Sequence, residues 1–308
     1  MDFSLGTLLY LVIGIGAVVA VAVRGYIKRS LSYGGMCTSI LIGILHILAG
    51  WRYAFLLIFF FATSSKFTKM WSSIKKQKED DYHFGGERRA KQVLCNSFVP
   101  TILSLYILLV RFHLISLGEH SMPFLENKLL LPTVLAYYCE CSADTWGSEI
   151  GIISSTPYLL LLPWKPVPAG TNGGISTLGM GAAVASGLSL AICYCVIQPA
   201  SPNLPLGEIM LISLGSSIMG TFIDSFLGSV LEESWWCAEK KRIISMPEHA
   251  SSCCLLAEKE RRRVSGHQPS QCGLVCGRKV CGGSEVNLLS SSLTSLLVFF
   301  YLYVRYFL

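Results

Sequence analysis

The chain has 308 residues, 52% of them hydrophobic and only 14% charged, with 25 Lys and Arg against 19 Asp and Glu and a mean hydropathy of +0.53. A soluble domain carries about 25% charged residues, so this composition excludes an ordinary water-soluble enzyme or binding module. Apolar runs of about 20 residues recur along it, and the expected fold class is all-α: a polytopic integral membrane helical bundle.

The first run, Phe3 to Val23, has no basic residue before it and Arg24, Lys28 and Arg29 directly after it. That order predicts a retained signal anchor, not a cleaved leader or a transit peptide. Further spans are expected at 36–50, 53–63, 93–112, 130–148, 174–197, 208–230 and 288–307. Trp51-Arg52-Tyr53 marks the turn between the second and third, while Gly34-Gly35 and the Pro-rich stretch 199–205 read as punctuation. Loops 24–35, 64–92, 149–173 and 231–287 hold 21 Lys and Arg, and Arg52, Arg111, Lys128 and Arg305 are the other four. Eight spans place the 21 on one face, which predicts cytoplasmic basic loops and an external N-terminus. The whole chain then forms one membrane domain, 1–308, with 231–287 a poorly ordered cytoplasmic loop. With no transit peptide, the expected location is the plasma membrane or an endomembrane.

The twelve cysteines do not form a disulfide framework in this reading, because Cys139, Cys141, Cys193 and Cys195 fall in apolar stretches where a thiol acts as a small hydrophobe. In the loop, Cys272, Cys276, Cys281 and His267 match no zinc spacing. Arg261-Arg262-Arg263 suits lipid headgroups better than nucleic acid.

Four stretches carry candidate chemistry. Residues 139–151 read CECSADTWGSEIG, with Glu140 and Asp144 four apart and so on one helix face. Asp144 and Glu149 converge only if the helix stops near Gly147. Together with the hydroxyls of Thr145 and Ser148, these carboxylates suit Mg²⁺, a hard cation that takes oxygen ligands. Second, MGTFIDSFLGSVLEE at 219–233 places Asp224 at the end of another span, and DSFLGS echoes the order of DTWGS. Third, Thr171-Asn172-Gly173-Gly174 leads into the sixth span, where consecutive backbone N–H groups would seat an anion; an ordinary N-cap turn is the plainer alternative. Fourth, SSKFTKM and HFGGERRAKQVLCN offer Lys66 and Arg88 to steady phosphate charge, with Gln92 and Asn96 on one face of the fourth span. No Ser-His-Asp order, HExxH, Walker loop or nucleotide-binding GxGxxG is present.

Together SSKFTK, GGERRAKQVLCN, DTWGSEIG, GTNGG, DSFLG and EVNLLSS resemble the transmembrane protein nineteen family, in the plant branch that includes the glucose-response membrane protein. The same superfamily includes the phytyl-phosphate kinase of tocopherol synthesis. The resemblance implies a polytopic membrane fold. By analogy with that enzymatic branch, it also implies phosphoryl transfer from a nucleoside triphosphate to an isoprenoid monophosphate. Carried onto this chain, it points to Lys66, Gly85, Gly86, Arg88, Gln92, Asn96, Asp144, Thr145, Ser148, Glu149, Thr171, Asn172, Gly173, Gly174, Asp224 and Asn287. There are departures: Glu87 and Arg89 in the Gly-Gly motif, Ala143 for a usual Gly, and Gly282-Gly283-Ser284-Glu285 where the family carries an Asp-Asn-Asn string. The expected site therefore has Asp144, Glu149 and Asp224 holding Mg²⁺ and the Gly turn holding phosphate. A non-enzymatic protein of sugar response is the alternative and a transporter the third.

Overall fold

A computed structural model of the protein describes residues 5–70, 86–116, 121–154, 157–159, 165–198, 204–237, 241–244 and 272–308. The chain is helical: α1 Leu5–Ile27, α2 Tyr33–Ala49, α3 Trp51–Met70, α4 Ala90–Cys95 and α5 Phe98–Arg111 form the first half. A short α6, Met122–Leu125, passes through a π turn at Glu126–Leu130 into α7, Leu131–Gly151. Then come α8 Thr177–Ile197, α9 Leu206–Leu231 and α10 Gly283–Phe307. Four of these, α1, α8, α9 and α10, are long and apolar enough to cross a bilayer.

Helix α7 is the axis of the bundle. Leu131 to Ala143 is buried at every position, and α3, α8, α9 and α10 pack around it. An α-helix that is apolar all round finds its place inside a protein, and LPTVLAYYC is such a run. The outer helices show the reverse pattern: Leu9, Val12 and Ile13 of α1, Ile192 and Val196 of α8, and Phe300 and Val304 of α10 present exposed apolar side chains, a lipid-facing surface.

Several boundaries differ from expectation for local physical reasons. Gly34 and Gly35 are not a break but the first turn of α2, whose N-cap Ser32 accepts a hydrogen bond from the Gly35 amide. The turn into α3 is made at Gly50, at φ 152°, and α3 runs through the Ser-Ser-Lys segment to Met70. The fourth span is divided at Asn96-Ser97, because Pro100 has no N–H to donate to the Asn96 carbonyl. Helix α7 does not stop at Gly147 but continues to Gly151.

Two three-stranded antiparallel sheets sit at one end of the bundle. In the first, β1 Tyr158–Leu159 lies between β2 Lys165–Pro166 and β3 Gly174–Ile175. In the second, β4 Ser234–Cys237 lies between β5 Arg242–Ile244 and β6 Cys272–Cys276. The segment 231–287, expected as a poorly ordered loop, thus contains the strands of a sheet, while 238–240 and 245–271 lie outside the described residues.

The opposite end gathers the four remaining basic residues around two buried acids. Glu126 accepts from Arg52 Nη2 and Arg111 Nη2, each at 3.2 Å. Arg305 Nε lies 2.9 Å from Glu208 Oε1, and Lys128 sits over the Tyr306 ring. The four basic residues counted outside the loops thus share one end of the bundle.

Candidate functional site

The C-terminal ends of α7 and α9 and the N-terminal ends of α8 and α10 surround an open cleft. Its wall includes Asp144, Ser148, Thr171, Asn172, Gly173, Gly174, Asp224 and Asn287. Four helices and the turn before α8 thus bring eight of the predicted residues to one place. The two echoed segments, DTWGS and DSFLGS, end α7 and α9 on this cleft.

Asn287 Nδ2 donates to Asp144 Oδ2 at 2.9 Å. This contact exists because α10 starts at Gly283, earlier than expected, so Asn287 sits inside the helix. Deeper in, Ser290 Oγ lies 2.5 Å from Glu140 Oε1 and 3.0 Å from Asp224 Oδ2. Asp144 is near enough to repel both acids. Glu140 is fully buried, and a β-carbon on Gly220 would lie 2.4 Å from its Cγ, so the bare backbone of α9 makes room for this side chain. Glu232, just past the end of α9, also lines the cleft. Sequence reasoning missed Glu232 and Ser290, and saw Glu140 only as a face-mate of Asp144.

Burial and the negative charges of Asp144 and Glu285 push the Glu232 carboxyl up to about 7. Its folded-state value is above the ordinary carboxyl range, so its ionisation opposes folding above pH 7, and that penalty is relieved as pH falls toward 4.5. Melting temperature in nanodiscs should therefore rise as pH is lowered from about 7 toward 4.5. Glu232→Gln should flatten the part of the curve between about pH 7 and 4.5. An unchanged curve in that variant would remove Glu232 as the source.

Glu149 belongs elsewhere. On the unbroken α7 it is five residues from Asp144, about 140° round the helix. It is absent from the cleft wall and lies near Arg88, whose positive charge it supports. The expected three-acid Mg²⁺ set of Asp144, Glu149 and Asp224 is not assembled. Among the described residues, no three His, Cys, Asp or Glu side chains group closely enough to hold a metal ion by themselves.

The anion seat is also altered. Thr171 N–H donates to the Pro168 carbonyl, Asn172 N–H to Ser234 Oγ at 2.9 Å, and Gly174 N–H to the Thr171 carbonyl at 3.0 Å. Three of the four amides are thus already engaged in turn and sheet contacts. Gly173, at φ 74°, packs on α9, where a β-carbon would lie 2.3 Å from the Ser225 carbonyl oxygen and 2.6 Å from Ser229 Cβ. The motif docks a turn against a helix. The N-cap of α8 is Ser176, which accepts from the Gly179 amide.

The basic and amide candidates stand apart from the cleft. Arg88 is buried, donates to Ser65 Oγ at 2.8 Å and lies over the Phe61 ring. Burial lowers its guanidinium to about 10, and Glu149 opposes the shift. Lys66 is exposed on α3, and Gln92 is half-buried on α4. Asn96 is buried beside an apolar cavity between α1, α2 and α3. Thr145 Oγ1 donates to the Cys141 carbonyl and Ser148 Oγ to the Thr145 carbonyl. Gly85 lies outside the described residues. Among the described residues, no Lys or Arg lines the cleft.

A bundle of apolar helices with a lipid-facing exterior and its charged groups gathered at the two ends is the architecture of a multi-pass integral membrane protein. The chain belongs to the family described as integral membrane protein DUF92, whose model matches residues 16–295. It is 30% identical over 236 residues to Protein PGR of Arabidopsis thaliana, covering 74% of this chain and 81% of that one. It is 24% identical over 232 residues to an uncharacterized membrane protein of Methanocaldococcus jannaschii, covering 74% and 86%. A Synechocystis membrane protein, also uncharacterized, is 25% identical over 186 residues, covering 60% and 66%. These matches bear out the resemblance drawn from the motifs. No solved structure matches.

Proposed function

We propose that the protein is a Mg²⁺-dependent phosphotransferase of isoprenoid monophosphates, acting at the membrane interface with a nucleoside triphosphate as donor. The observation that carries the reading is the convergence of Asp144 and Asp224, from two different helices, on one cleft with no basic side chain in its described wall. A phosphate entering such a cleft meets only negative charge, so a divalent cation must accompany it. Mg²⁺ is commonly held by one or two carboxylates plus substrate phosphates, a role open to Asp144 and Asp224. When bound there, Mg²⁺ would neutralise phosphate oxygens and the charge that develops as the phosphoryl group moves.

The chain's own residues do the rest. Asn287 orients the Asp144 carboxylate through its 2.9 Å hydrogen bond. The turn Thr171–Gly174, braced on α9, walls the cleft and limits its width. The prenyl tail lies between helices, in contact with lipid. In this reading the chain crosses the membrane eight times, as α1, α2, α3, α4–α5, α6–α7, α8, α9 and α10, with the cleft on the cytoplasmic side of the plasma membrane or an endomembrane.

The test is diphosphate formation by protein in nanodiscs supplied with phytyl or geranylgeranyl monophosphate, Mg²⁺ and each labelled nucleoside triphosphate. Asp144→Asn should lower the rate by about 100-fold or more, since it removes one of the two charges that would face the cation. Absence of product from every donor, with the protein folded, would overturn the reading.

One observation favours a second, non-enzymatic reading in sugar response. Glu285, which stands in place of the family's Asn string, is tied by an ion pair to Lys91 and does not line the cleft. Under that reading Asp144→Asn leaves biological activity intact.

A further inference from the structure

Glu140 poses a charge problem that the cleft does not solve. It lies one turn deeper than Asp144 on α7, about 6 Å along the axis. It is 0% exposed, and only its Oε1 has a partner, Ser290 Oγ. Its Oε2 has no hydrogen-bond partner among the described residues. Ser290 has a single hydroxyl hydrogen, yet two carboxylate oxygens, from Glu140 and Asp224, lie within 3.0 Å of its Oγ. A hydroxyl can donate to only one of them. Among the described residues, no Lys or Arg is a partner of Glu140, Asp224 or Ser290. Buried carboxylates in a membrane bundle need a neutralising partner, because an uncompensated charge there costs several kcal/mol.

A second, independent feature points to the same spot. Thr294 Oγ1 on α10 is buried and has no hydrogen-bond partner among the described residues. The position a β-carbon would take on Gly220 is 3.3 Å from Thr294 Oγ1 and 2.4 Å from Glu140 Cγ. Thr294 and Glu140 therefore meet over Gly220, whose bare backbone lets both side chains close on α9 at one place.

We propose that Glu140, Asp224, Ser290 and Thr294 form an inner site for a sodium ion, between α7, α9 and α10 and directly beneath the cleft, whose wall shares Asp224. The donors are all oxygens, which select a hard cation. Three of the four are enclosed: Glu140 and Ser290 are 0% exposed and Thr294 is 2% exposed, while Asp224 is half-buried and also faces the cleft. Mg²⁺ dehydrates reluctantly and keeps several waters, and Ca²⁺ takes six to eight oxygens, so neither suits four side chains of which three are enclosed. A bare monovalent ion does. One sodium also lowers the mutual repulsion of Glu140, Asp224 and Asp144, and it ties three helices together behind the cleft.

The experiment uses the full chain in nanodiscs with EDTA and no nucleotide, so that the cleft holds no divalent ion. Melting temperature is followed as choline chloride is replaced by sodium chloride or by potassium chloride at constant ionic strength, and sodium-23 NMR line broadening reads binding directly. Sodium should raise the melting temperature and broaden the line, with potassium at least tenfold less effective. Glu140→Gln and the near-isosteric Thr294→Val should lose both effects. Line broadening remains readable where a variant melts lower for other reasons. The proposal is overturned if potassium and choline match sodium. It is equally overturned if the sodium effects survive in Glu140→Gln, or if lowering pH stabilises the protein while sodium does nothing, which would make the occupant a proton.

Discussion

Gly173→Ala destabilises the protein by about 3 kcal/mol, as the sum of a left-handed backbone penalty and an overpacking penalty. The backbone at residue 173 has φ 74°, a conformation that costs an L side chain about 1–2 kcal/mol. The added methyl would also lie 2.3 Å from the Ser225 carbonyl oxygen and 2.7 Å from the Ser229 amide. Both neighbours are backbone atoms of α9, so neither can rotate away. The change should lower the melting temperature and loosen the cleft wall. Gly181→Ala is the matched control: the site lies in α8, with nothing within 4 Å of an added β-carbon, and should be neutral or slightly stabilising. Equal melting temperatures for the two variants would show that the turn is not clamped on α9.

Glu126→Ala costs about 3 kcal/mol, the range seen when one member of a buried ion pair is removed. Glu126 is 6% exposed and accepts from both Arg52 and Arg111. Its removal leaves two guanidinium groups at the far end of the bundle without their shared carboxylate. Arg52 also donates to Asn127, and Arg111 donates to the Leu48 carbonyl. The acid therefore joins the ends of α2, α3 and α5 to the π turn that opens α7. The side chain of Arg111 is 33% exposed, so Arg111→Ala should cost clearly less, through solvent screening of its pair. Thermal melts of both variants in nanodiscs give the order. A cost for Arg111→Ala equal to that for Glu126→Ala would refute the central role of the carboxylate.

Much of the bundle was legible because hydropathy reports lipid contact directly. The long apolar runs became α1, α8, α9 and α10. The asymmetry of basic residues foretold that Arg52, Arg111, Lys128 and Arg305 share one end. Span ends also foretold that Asp144, Asp224, Asn287 and the Thr171–Gly174 turn meet. Helix phase was harder to read. Whether Asp144 and Glu149 converge depends on where α7 stops, and Gly147 packs in the helix against Gly179 instead of ending it. Arg88 shows another limit: a count of basic residues cannot tell a buried cation held by Ser65 from a surface one. Nor could residue types show that the Thr171, Asn172 and Gly174 amides already have acceptors, since those acceptors are set by tertiary contacts.

The enclosure of α7 has a consequence for how the protein is made. This helix carries Glu140, Asp144 and Glu149, and it leaves the ribosome before α8, α9 and α10, which supply Ser290, Asn287 and much of its cover. Alone in lipid, three carboxylates on one helix would make integration unfavourable. Stable insertion of α7 must therefore wait for the last third of the chain. A nascent protein truncated before α10 is left with its axial helix unprotected, a species that cellular quality control can distinguish from the finished fold.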